Sequence, residues 1–317
     1  MAVTISVCMI VKNEEKVLER CLKGVLLFAD ELIIVDTGSA DKTKEIAARY
    51  TDRVYEFEWG DDFAAARNYA FSLASCDYIM WMDADDVIDQ ENAKKVCRLK
   101  ETLKEDAVLM FYERTEYELT LYYLRMVKNS AMIRWRGAIH EYLTGYQSVL
   151  ETEIVIKHQK ENPLDFRRNI RIMEKLTEEE LINDFALCGN CYLDCILDQS
   201  FEEADYYLSL AGKTQEPVCK NRVNTCVLIG MVLVSQKKYK EALEWGELLL
   251  RETMHKEELD HETCISASAF SLQAVKSAVN LKKIKEAWCF NELAICFDPY
   301  CAPALRNRRI LEEKLQR

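Results

Sequence analysis

Short apolar runs and helical periodicities alternate along the N-terminal part of the chain. Runs rich in apolar and β-branched side chains predict strands at 4–11, 31–35, 53–58 and 78–82. Apolar residues at helical spacing predict helices at about 17–25, 40–50, 63–74 and 90–103. Strands that alternate with helices at such short spacing are typical of an α/β unit with a mostly parallel sheet and right-handed crossovers.

The pattern changes after residue 104. Strand-like segments follow at 107–115, 119–127, 131–143 and 152–158, and from about residue 165 onwards the periodicity is helical. Glu161, Asn162 and Pro163 interrupt the strand pattern between these two parts. We therefore predict an α/β domain at 1–160 and an all-helical domain at 161–317.

Similar segments recur in the helical part, at 201–212, 239–252 and 284–299. In each of them an acidic residue precedes an alanine at the same place, and these alanines are Ala204, Ala242 and Ala287. Their spacing is somewhat wider than the period of about 34 residues of tetratricopeptide repeats. We predict degenerate or lengthened repeats of that kind, and an irregular helical bundle is the alternative.

The charge and composition of the chain exclude some classes of function. The 317 residues carry Asp+Glu 54 against Lys+Arg 42, a formal net charge of -12, which argues against a nucleic-acid surface and against a general attraction to anionic membranes. The first residues lack the pattern of a signal peptide, and no apolar run reaches the ~18 residues of a membrane span. Thirteen cysteines without an export signal favour reduced thiols and a cytoplasmic location.

Three polar clusters follow predicted strands directly. They are Asn13-Glu14-Glu15, Asp36-Thr37-Gly38-Ser39 and Asp83-Ala84-Asp85-Asp86. Ligands of parallel sheets bind beyond the carboxyl ends of the strands, so we expect the clusters to share one edge, with Ser39 also capping the next helix. On an extended chain Asp83 and Asp85 point the same way, as oxygen ligands of a hard divalent cation would. A solvated acidic loop with helix-capping duty is the alternative.

Four blocks in this order resemble the family 2 glycosyltransferases. The blocks are ISVCMIVKNEE, VDTGSADKT, FAAARNYA and MDADD, and the resemblance is strong over residues 4–90 and moderate to about 160. The helical tail is similar in layout to that of bacterial peptide S-glycosyltransferases with tetratricopeptide repeats. The resemblance implies a GT-A fold, a mixed and mostly parallel sheet with flanking helices. It also implies an inverting, metal-dependent transfer of a sugar from a nucleotide donor, UDP above all.

The same resemblance assigns roles to residues at the strand ends. Asp85 would hold the catalytic metal ion, Mn²⁺ or Mg²⁺, and Asp83 would face the ribose or the sugar. Asp36 would read uracil by accepting a hydrogen bond from its N3–H group, and Asn13 and Glu15 would line the same pocket. Asp86 stands where relatives often have glutamate, a conservative departure that bears on the sugar pocket.

Further roles are implied for an arginine and for the segment after it. Arg67 would contact the donor phosphates, or alternatively form a buried ion pair that positions Asp83 or Asp36. Glu141 would be the catalytic base in a block near the acceptor that also contains His140. His158 would complete the metal site, since imidazole is a reasonable ligand for Mn²⁺. For both histidines the alternative is a structural residue at a strand end.

Other candidate metal ligands carry a weaker signal. Cys188, Cys191 and Cys195 lie on one helix face but have no evident fourth ligand, so we interpret them as buried small side chains. His255 and His261 lie among glutamates and lysines, and we expect solvated side chains.

The most consistent hypothesis is a cytoplasmic glycosyltransferase whose helical repeats bind a peptide or protein acceptor, because repeat arrays form concave surfaces. A transferase that builds a polysaccharide or a lipid-linked saccharide is a second hypothesis, and a non-catalytic adaptor with a degenerate transferase domain is a third. A nucleotidyltransferase would normally have a glycine-rich and basic loop where this chain has KNEE. Homo-oligomer formation stays open.

Overall fold

The chain divides into two units, Met1–Asp165 and Phe166–Arg317, in a computed structural model. The described residues are 2–114, 119–159, 161, 166–214, 220–254 and 261–315. The predicted fold class, a mixed α/β sheet followed by an all-helical region, is confirmed. The predicted division between residues 160 and 161 falls beside residues outside the described part, and it stays a prediction.

A mixed sheet of eight strands forms the centre of the first unit within the described residues. In chain order its strands are β1 (Ile5–Val11), β2 (Glu31–Asp36), β3 (Val54–Glu56), β4 (Tyr78–Trp81), β5 (Asp86–Val87), β6 (Ala107–Arg114), β7 (Leu119–Lys128) and β10 (Val149–His158). A separate hairpin contains β8 (Arg134–Arg136) and β9 (Tyr142–Thr144). The helices are α1 (Leu18–Val25), α2 (Thr43–Ala47), α3 (Phe63–Ser72) and α4 (Gln90–Leu99).

The strand order places the ends of β1, β2 and β4 side by side. The order across the sheet is β3-β2-β1-β4-β7-β6-β10-β5. The pairs among β1 to β4 are parallel and so is β6 with β10, whereas β7 runs antiparallel to both of its neighbours. The polar segments that follow β1, β2 and β4 therefore lie at one edge, as the sequence predicts.

Alternating side chains of the central strand enter two cores. Val7 and Met9 of β1 pack into a cluster that contains buried residues of α1 and α4, while Cys8 packs on the other face against buried residues of α3. Successive side chains of a strand point to opposite faces of the sheet. Because both faces of this sheet are covered, consecutive residues of β1 from Val7 onwards are apolar, and the strand is recognisable in the sequence as a continuous apolar run. The sheet thus has a helical layer on each face.

Two local features differ from the sequence prediction. Helix α2 begins at Thr43 rather than near residue 40, and Ser39 does not cap it, because its hydroxyl oxygen accepts a hydrogen bond from the backbone N–H of Asn13. Asp41 accepts the backbone N–H of Thr43 instead. The two-residue strand β5 is also absent from the prediction, since so short a segment carries no periodicity.

The second unit consists of helices only within the described residues. They are α5 (Phe166–Met173), α6 (Glu178–Ile182), α7 (Phe185–Asp198), α8 (Phe201–Ala211), α9 (Lys220–Ser235), α10 (Tyr239–Met254), α11 (His261–Asn280), α12 (Ile284–Phe297) and α13 (Ala302–Leu315). Among the described residues of both units, none of the helices combines the length and the hydropathy that a membrane-spanning segment needs.

Three helix pairs of the second unit are joined by the same turn. The pairs are α7–α8, α9–α10 and α11–α12. Gln199, Lys237 and Lys282 each adopt a left-handed conformation two residues before the second helix, with φ of 66°, 62° and 59°. In each turn the next backbone N–H bonds a carbonyl five residues earlier, at 2.9, 2.9 and 2.8 Å, as in a Schellman motif.

The recurring alanines lie at equivalent places in these pairs. Ala204, Ala242 and Ala287 each follow the first residue of the second helix by the same distance in sequence, and all three are buried. A small side chain at each place permits close packing of the helices. The predicted repetition is therefore visible in both the turns and the packing.

Candidate active site

The loop after β2 is built around Asp36. Its side chain is buried, and Oδ1 accepts the backbone N–H groups of Gly38 and Ser39 at 2.9 and 2.8 Å. Gly38 has φ +102°, a conformation that glycine adopts without strain. The second oxygen, Oδ2, is buried and accepts no hydrogen bond from the residues that the structure describes. A buried acceptor of this kind is costly unless a donor reaches it, so the loop offers one fixed acceptor to a ligand.

Asn13 and Glu15 support this loop from the end of β1. Asn13 Oδ1 accepts the backbone N–H of Ala40 at 2.8 Å, and Glu15 Oε2 accepts that of Lys42 at 3.1 Å. Asn13 itself has a left-handed backbone conformation, with φ 56°. Both side chains are largely exposed and lie beside the Asp36 loop, and their predicted place in a nucleotide pocket stays a prediction.

The acidic segment after β4 forms a tight turn. Ala84 and Asp85 occupy the turn, the backbone N–H of Asp86 donates to the carbonyl of Asp83 at 3.1 Å, and the N–H of Asp83 donates to Asp86 Oδ2 at 2.9 Å. The prediction that Asp83 and Asp85 point the same way assumes an extended chain, and this turn removes its basis. The two carboxylates instead contact different partners.

Asp85, Asp86 and His158 form a group that could hold a metal ion. One ligand atom of each lies within 4.8 Å of the others, and no other group of histidine, cysteine and acidic side chains in the described chain has this geometry. His158 Nδ1 is 3.4 Å from Asp85 Oδ1 and 3.5 Å from Asp86 Oδ1. Strand β5 pairs with β10 at Asp86 and His158, which holds the group together. Two carboxylates and one imidazole fit Mn²⁺ better than Mg²⁺.

The charge around His158 favours a cation at this place. Burial acts to lower the pKa of the imidazole, but the close contact with Asp86 and the negative charges of Asp85, Asp86 and Asp83 outweigh burial and raise the pKa above its ordinary value. A positive charge between these groups is thus stabilised electrostatically.

Arg67 joins two of the predicted site residues. Its Nε donates to Glu141 Oε1 at 2.7 Å and its Nη2 donates to Asp83 Oδ1 at 3.1 Å. The guanidinium group is buried against the rings of Trp81 and Trp135, at 4.6 and 5.0 Å from their centroids, and the two rings contact each other edge to face. The alternative in which Arg67 pairs with Asp83 is therefore observed, and Glu141 is a second partner that the sequence does not indicate.

The pKa of Asp83 responds to this pair. Burial acts to raise it, but the positive charges of Arg67 and Arg125 and the hydrogen bond from Arg67 outweigh burial and hold it below its ordinary value. Asp83 is therefore ionised over the whole neutral range.

The β8–β9 hairpin brings Glu141 to Arg67. Asn68, the residue after Arg67 in α3, exchanges two hydrogen bonds with the backbone of Trp135 in β8, both at 3.0 Å. The loop between the strands contains Gly137 with φ +90° and His140 with φ 51°, and Glu141 ends it. The side chain of Glu141 is 13% exposed, so its position is fixed by the ion pair and the loop.

Sequence reasoning misses Arg125 in β7. The side chain is fully buried, and its Nη1 donates to Asp86 Oδ2 at 2.8 Å. A charged residue inside the apolar run LYYLRMV is the signal that could have identified it, because buried arginine is rare without a partner. Asp86 is likewise fully buried, and its pairing with Arg125 gives it a more central place than the sequence suggests.

The remaining candidates lie away from this group. Cys188, Cys191 and Cys195 are buried in α7, and burial raises the pKa of the Cys191 thiol well above its ordinary value, so the thiol stays protonated. This supports their interpretation as core side chains. No disulfide joins any of the cysteines that the structure describes. His261 is the first residue of α11, and His255 lies outside the described residues.

Comparison with known proteins relates the first unit to a family. Residues 6–159 match the model of glycosyl transferase family 2. A TPR repeat-containing protein of Synechococcus elongatus is 35% identical over 139 residues, which are 43% of this chain and 34% of that protein. The glycosyltransferase SunS of Bacillus subtilis is 27% identical over 285 residues, 84% of this chain and 65% of SunS.

The chain thus spans less than two thirds of the length of both relatives. Among solved structures, Staphylococcus aureus TarS 1-349 in complex with UDP-GlcNAc is similar with a TM-score of 0.48 and 13% identity. That match covers 90% of this chain and 89% of TarS 1-349.

Proposed function

Residues 6–159 form a family 2 glycosyltransferase domain, and from this premise we propose that the protein transfers a sugar from a UDP-sugar to an acceptor with inversion. The observation that carries the proposal is the pairing of two features at one sheet edge. One is the buried, unpartnered Oδ2 of Asp36, and the other is the group of Asp85, Asp86 and His158. Together they suit the base and the diphosphate of one nucleotide.

Asp36 would select the base of the donor. Oδ2 can only accept a hydrogen bond while the carboxylate is ionised, and N3–H of uracil is a donor at the corresponding place of the pyrimidine ring. Cytosine has an acceptor at that place and would leave both groups without a partner. This polarity favours a uridine nucleotide over a cytidine nucleotide.

Asp36→Asn is expected to weaken UDP binding about tenfold to a hundredfold and to strengthen CDP binding. The asparagine oxygen must stay on the N–H groups of Gly38 and Ser39, so the amide donor takes the place of Oδ2 and faces the base. Calorimetric titration with UDP and CDP in the presence of Mn²⁺ measures both affinities. Asp52→Asn, at an exposed aspartate, serves as control. Unchanged UDP affinity in Asp36→Asn would show that Asp36 does not read the base.

Asp85, Asp86 and His158 would hold a divalent cation, with Mn²⁺ preferred. Such a cation, when bound, neutralises charge on the leaving diphosphate. Asp83 would hydrogen-bond the ribose or the sugar with the oxygen that Arg67 leaves uncovered. Asn13 and Glu15 would act by holding the Asp36 loop, with which both form hydrogen bonds.

Glu141 would take the proton of the acceptor. An inverting transfer needs one base on the acceptor side of the sugar carbon. Arg67 holds Glu141 by Oε1 and Asp83 by Oδ1, so one guanidinium fixes the proposed base relative to the proposed sugar-side carboxylate. Arg67 would therefore act through these two residues, in addition to any contact with the donor phosphates.

A peptide or protein is the proposed acceptor, and the second unit supports this choice. A groove of about 520 Å³ between helices of that unit is lined by Trp245 and by the charged residues Asp205, Lys238, Glu241 and Glu244, among others. Two of the carboxylates already pair with lysines, Asp205 with Lys238 and Glu244 with Lys240. The acidic Glu241 and the ring of Trp245 suit a peptide segment with a basic side chain. Mass spectrometry after incubation with the donor and with peptide or saccharide acceptors separates this proposal from glycan synthesis, because only the modified acceptor gains the mass of a sugar.

UDP with Mn²⁺ is expected to stabilise the protein against thermal unfolding. A ligand present at about 100 times its dissociation constant adds roughly 2.7 kcal/mol to the free energy of unfolding. Differential scanning calorimetry with UDP, CDP and ADP, each with and without Mn²⁺, measures the effect. An adaptor that has lost the transferase activity and its donor site would show no shift with any of these nucleotides.

A further inference from the structure

Two guanidinium groups pack against three aromatic rings close to the candidate site. We call this set the aromatic–guanidinium cluster, and it contains Trp135, Arg67, Trp81, Arg125 and Tyr112. The guanidinium carbon of Arg67 lies 5.0 Å from the centroid of Trp135 and 4.6 Å from that of Trp81. The guanidinium carbon of Arg125 lies 3.8 Å from Trp81 and 4.2 Å from Tyr112. Trp81, the last residue of β4, is thus the ring that both cations share.

The two cations of the cluster hold different carboxylates. Among the described residues, Arg67 binds Asp83 and Glu141, whereas Arg125 binds Asp86. Both cations are fixed by their rings, so the carboxylates that they bind are fixed as well.

The burial of Arg125 costs desolvation free energy that its hydrogen bonds do not fully offset. Its side chain is fully buried, yet Nε and Nη2 donate no hydrogen bond to any residue that the structure describes, and Nη1 donates to Asp86. A buried ion pair with unsatisfied donors is often no better for stability than apolar side chains of the same volume. The position of Arg125 is therefore better explained by what it does to Asp86.

Arg125 occupies one oxygen of Asp86 and leaves the other facing the metal group. Oδ2 accepts from Arg125 and from the backbone N–H of Asp83. Oδ1 is 3.5 Å from Nδ1 of His158, on the side of the group that also contains Asp85. If the carboxylate of Asp86 rotated, the oxygen that now faces His158 would no longer be held in that place.

An irregularity in β7 aims Arg125 at this place. Strand β6 pairs Val108 with Met126 and then Leu109 with Leu124, so Arg125 is an extra residue in β7. A bulge of this kind interrupts the alternation of faces and redirects one side chain, and bulges are frequent beside active sites. Because of it, Met126 and Leu124 contact opposite cores while Arg125 points between Trp81 and Tyr112.

We propose that Arg125 is a positioning residue that fixes Asp86 as a ligand of the divalent cation, with Oδ1 facing Asp85 and His158. The proposal rests on the proposed function, since the cation is the one that would accompany the nucleotide donor. Arg125→Met distinguishes a positioning role of Arg125 from a purely electrostatic effect of its charge on cation binding. Removal of a positive charge beside a cation site should by Coulomb's law alone tighten cation binding. Removal of a positioning residue should weaken it.

The test is the affinity for Mn²⁺, measured from the electron paramagnetic resonance signal of the free ion, with and without UDP. We expect Arg125→Met and Asp86→Asn each to weaken Mn²⁺ binding about tenfold to a hundredfold. The double variant should bind no more weakly than Asp86→Asn alone, because Arg125 acts through Asp86. Arg125→Lys should regain part of the affinity.

Arg53→Met is the matched control, because Arg53 pairs with Glu31 at the end of β2 opposite to the candidate site. The Mn²⁺ affinity of Arg53→Met should equal that of the unsubstituted protein. Unchanged or tighter Mn²⁺ binding in folded Arg125→Met would overturn the proposal. It would also be overturned if the double variant bound Mn²⁺ more weakly than Asp86→Asn by the same factor that Arg125→Met alone loses.

If Arg125→Met does not fold, the double variant is compared with Asp86→Asn, because the double variant buries no unpaired charge. A further loss of Mn²⁺ affinity in the double variant overturns the proposal.

The unsubstituted protein separates this inference from the proposed function. If it binds no Mn²⁺, either alone or with UDP, the proposed donor site fails and the role of Arg125 fails with it. If it binds Mn²⁺ and Arg125→Met binds equally well, only the role of Arg125 is wrong.

Discussion

Asp85→Ala is expected to lower the turnover of the UDP-sugar donor by about a thousandfold. The expected loss corresponds to about 4 kcal/mol of transition-state stabilisation, the amount that a cation on the leaving diphosphate can supply. Asp85 lies in the turn after β4, and its carboxylate is placed 3.4 Å from His158, so the substitution removes a ligand from the metal group. Release of UDP from a panel of UDP-sugars in the presence of Mn²⁺ measures donor hydrolysis and transfer together.

The fold should survive this substitution. Asp85 contributes its backbone carbonyl to a hydrogen bond from the N–H of Gln159, and alanine keeps that carbonyl. Asp52→Ala, at an exposed aspartate, removes the same charge elsewhere and should leave turnover unchanged. Full Mn²⁺-dependent turnover in Asp85→Ala would refute the proposed metal site, and equal loss in Asp52→Ala would point to an effect of net charge.

The elements of the first unit could be predicted because their signals are local. Strands β1 and β4 are apolar runs in the sequence, and a polar cluster begins two residues after the last residue of each strand. The parallel order of strands then places these ends at one edge without further information. The proposed site is predictable to the extent that it consists of strand ends.

The contacts between site residues could not be predicted in the same way. Arg67 meets Glu141 because a hairpin distant in sequence packs on α3 through Asn68. Arg125 meets Asp86 because a bulge redirects one side chain of β7. Neither a hairpin contact nor a bulge leaves a periodic signal, so the sequence indicates the charged residues and leaves their partners undetermined.

The turns of the second unit could not be predicted from the sequence for a different reason. The left-handed residue after a helix is usually glycine, and glycine is the sequence signal from which such a turn is predicted. Here Gln199, Lys237 and Lys282 take that place, although their side chains disfavour the conformation. The repetition was visible only through the alanines that pack in the following helices.

Arg67 fits both interpretations that the sequence allows, a buried ion pair and a role in the reaction. An ion pair with Asp83 and a role in catalysis are compatible, because the same guanidinium holds Asp83 and the proposed base Glu141. Its loss should therefore affect both stability and turnover, and the pH dependence of stability separates the ion pair from simple packing.

Arg67→Met is expected to lower the free energy of unfolding by about 3 kcal/mol at neutral pH, the lower end of the range for breaking a buried ion pair. The lower end applies because the side chain of Asp83 is 33% exposed, whereas that of Arg67 is 9% exposed. Methionine keeps the packing against Trp81 and Trp135 but leaves two carboxylates without their cation. Urea denaturation followed by tryptophan fluorescence measures the loss.

The size of this loss should fall in acid. Because Arg67 holds the folded-state pKa of Asp83 below its unfolded value of about 3.9, the pair stabilises the protein above that pH, and the stabilisation disappears as the pH falls through the folded-state pKa. Arg67→Met lacks this contribution at every pH, so the two stability curves should converge below about pH 4. A difference that stays constant from neutral to acid pH would mean that Arg67 stabilises the fold through its packing on the two rings, and that the ion pair with Asp83 contributes nothing measurable.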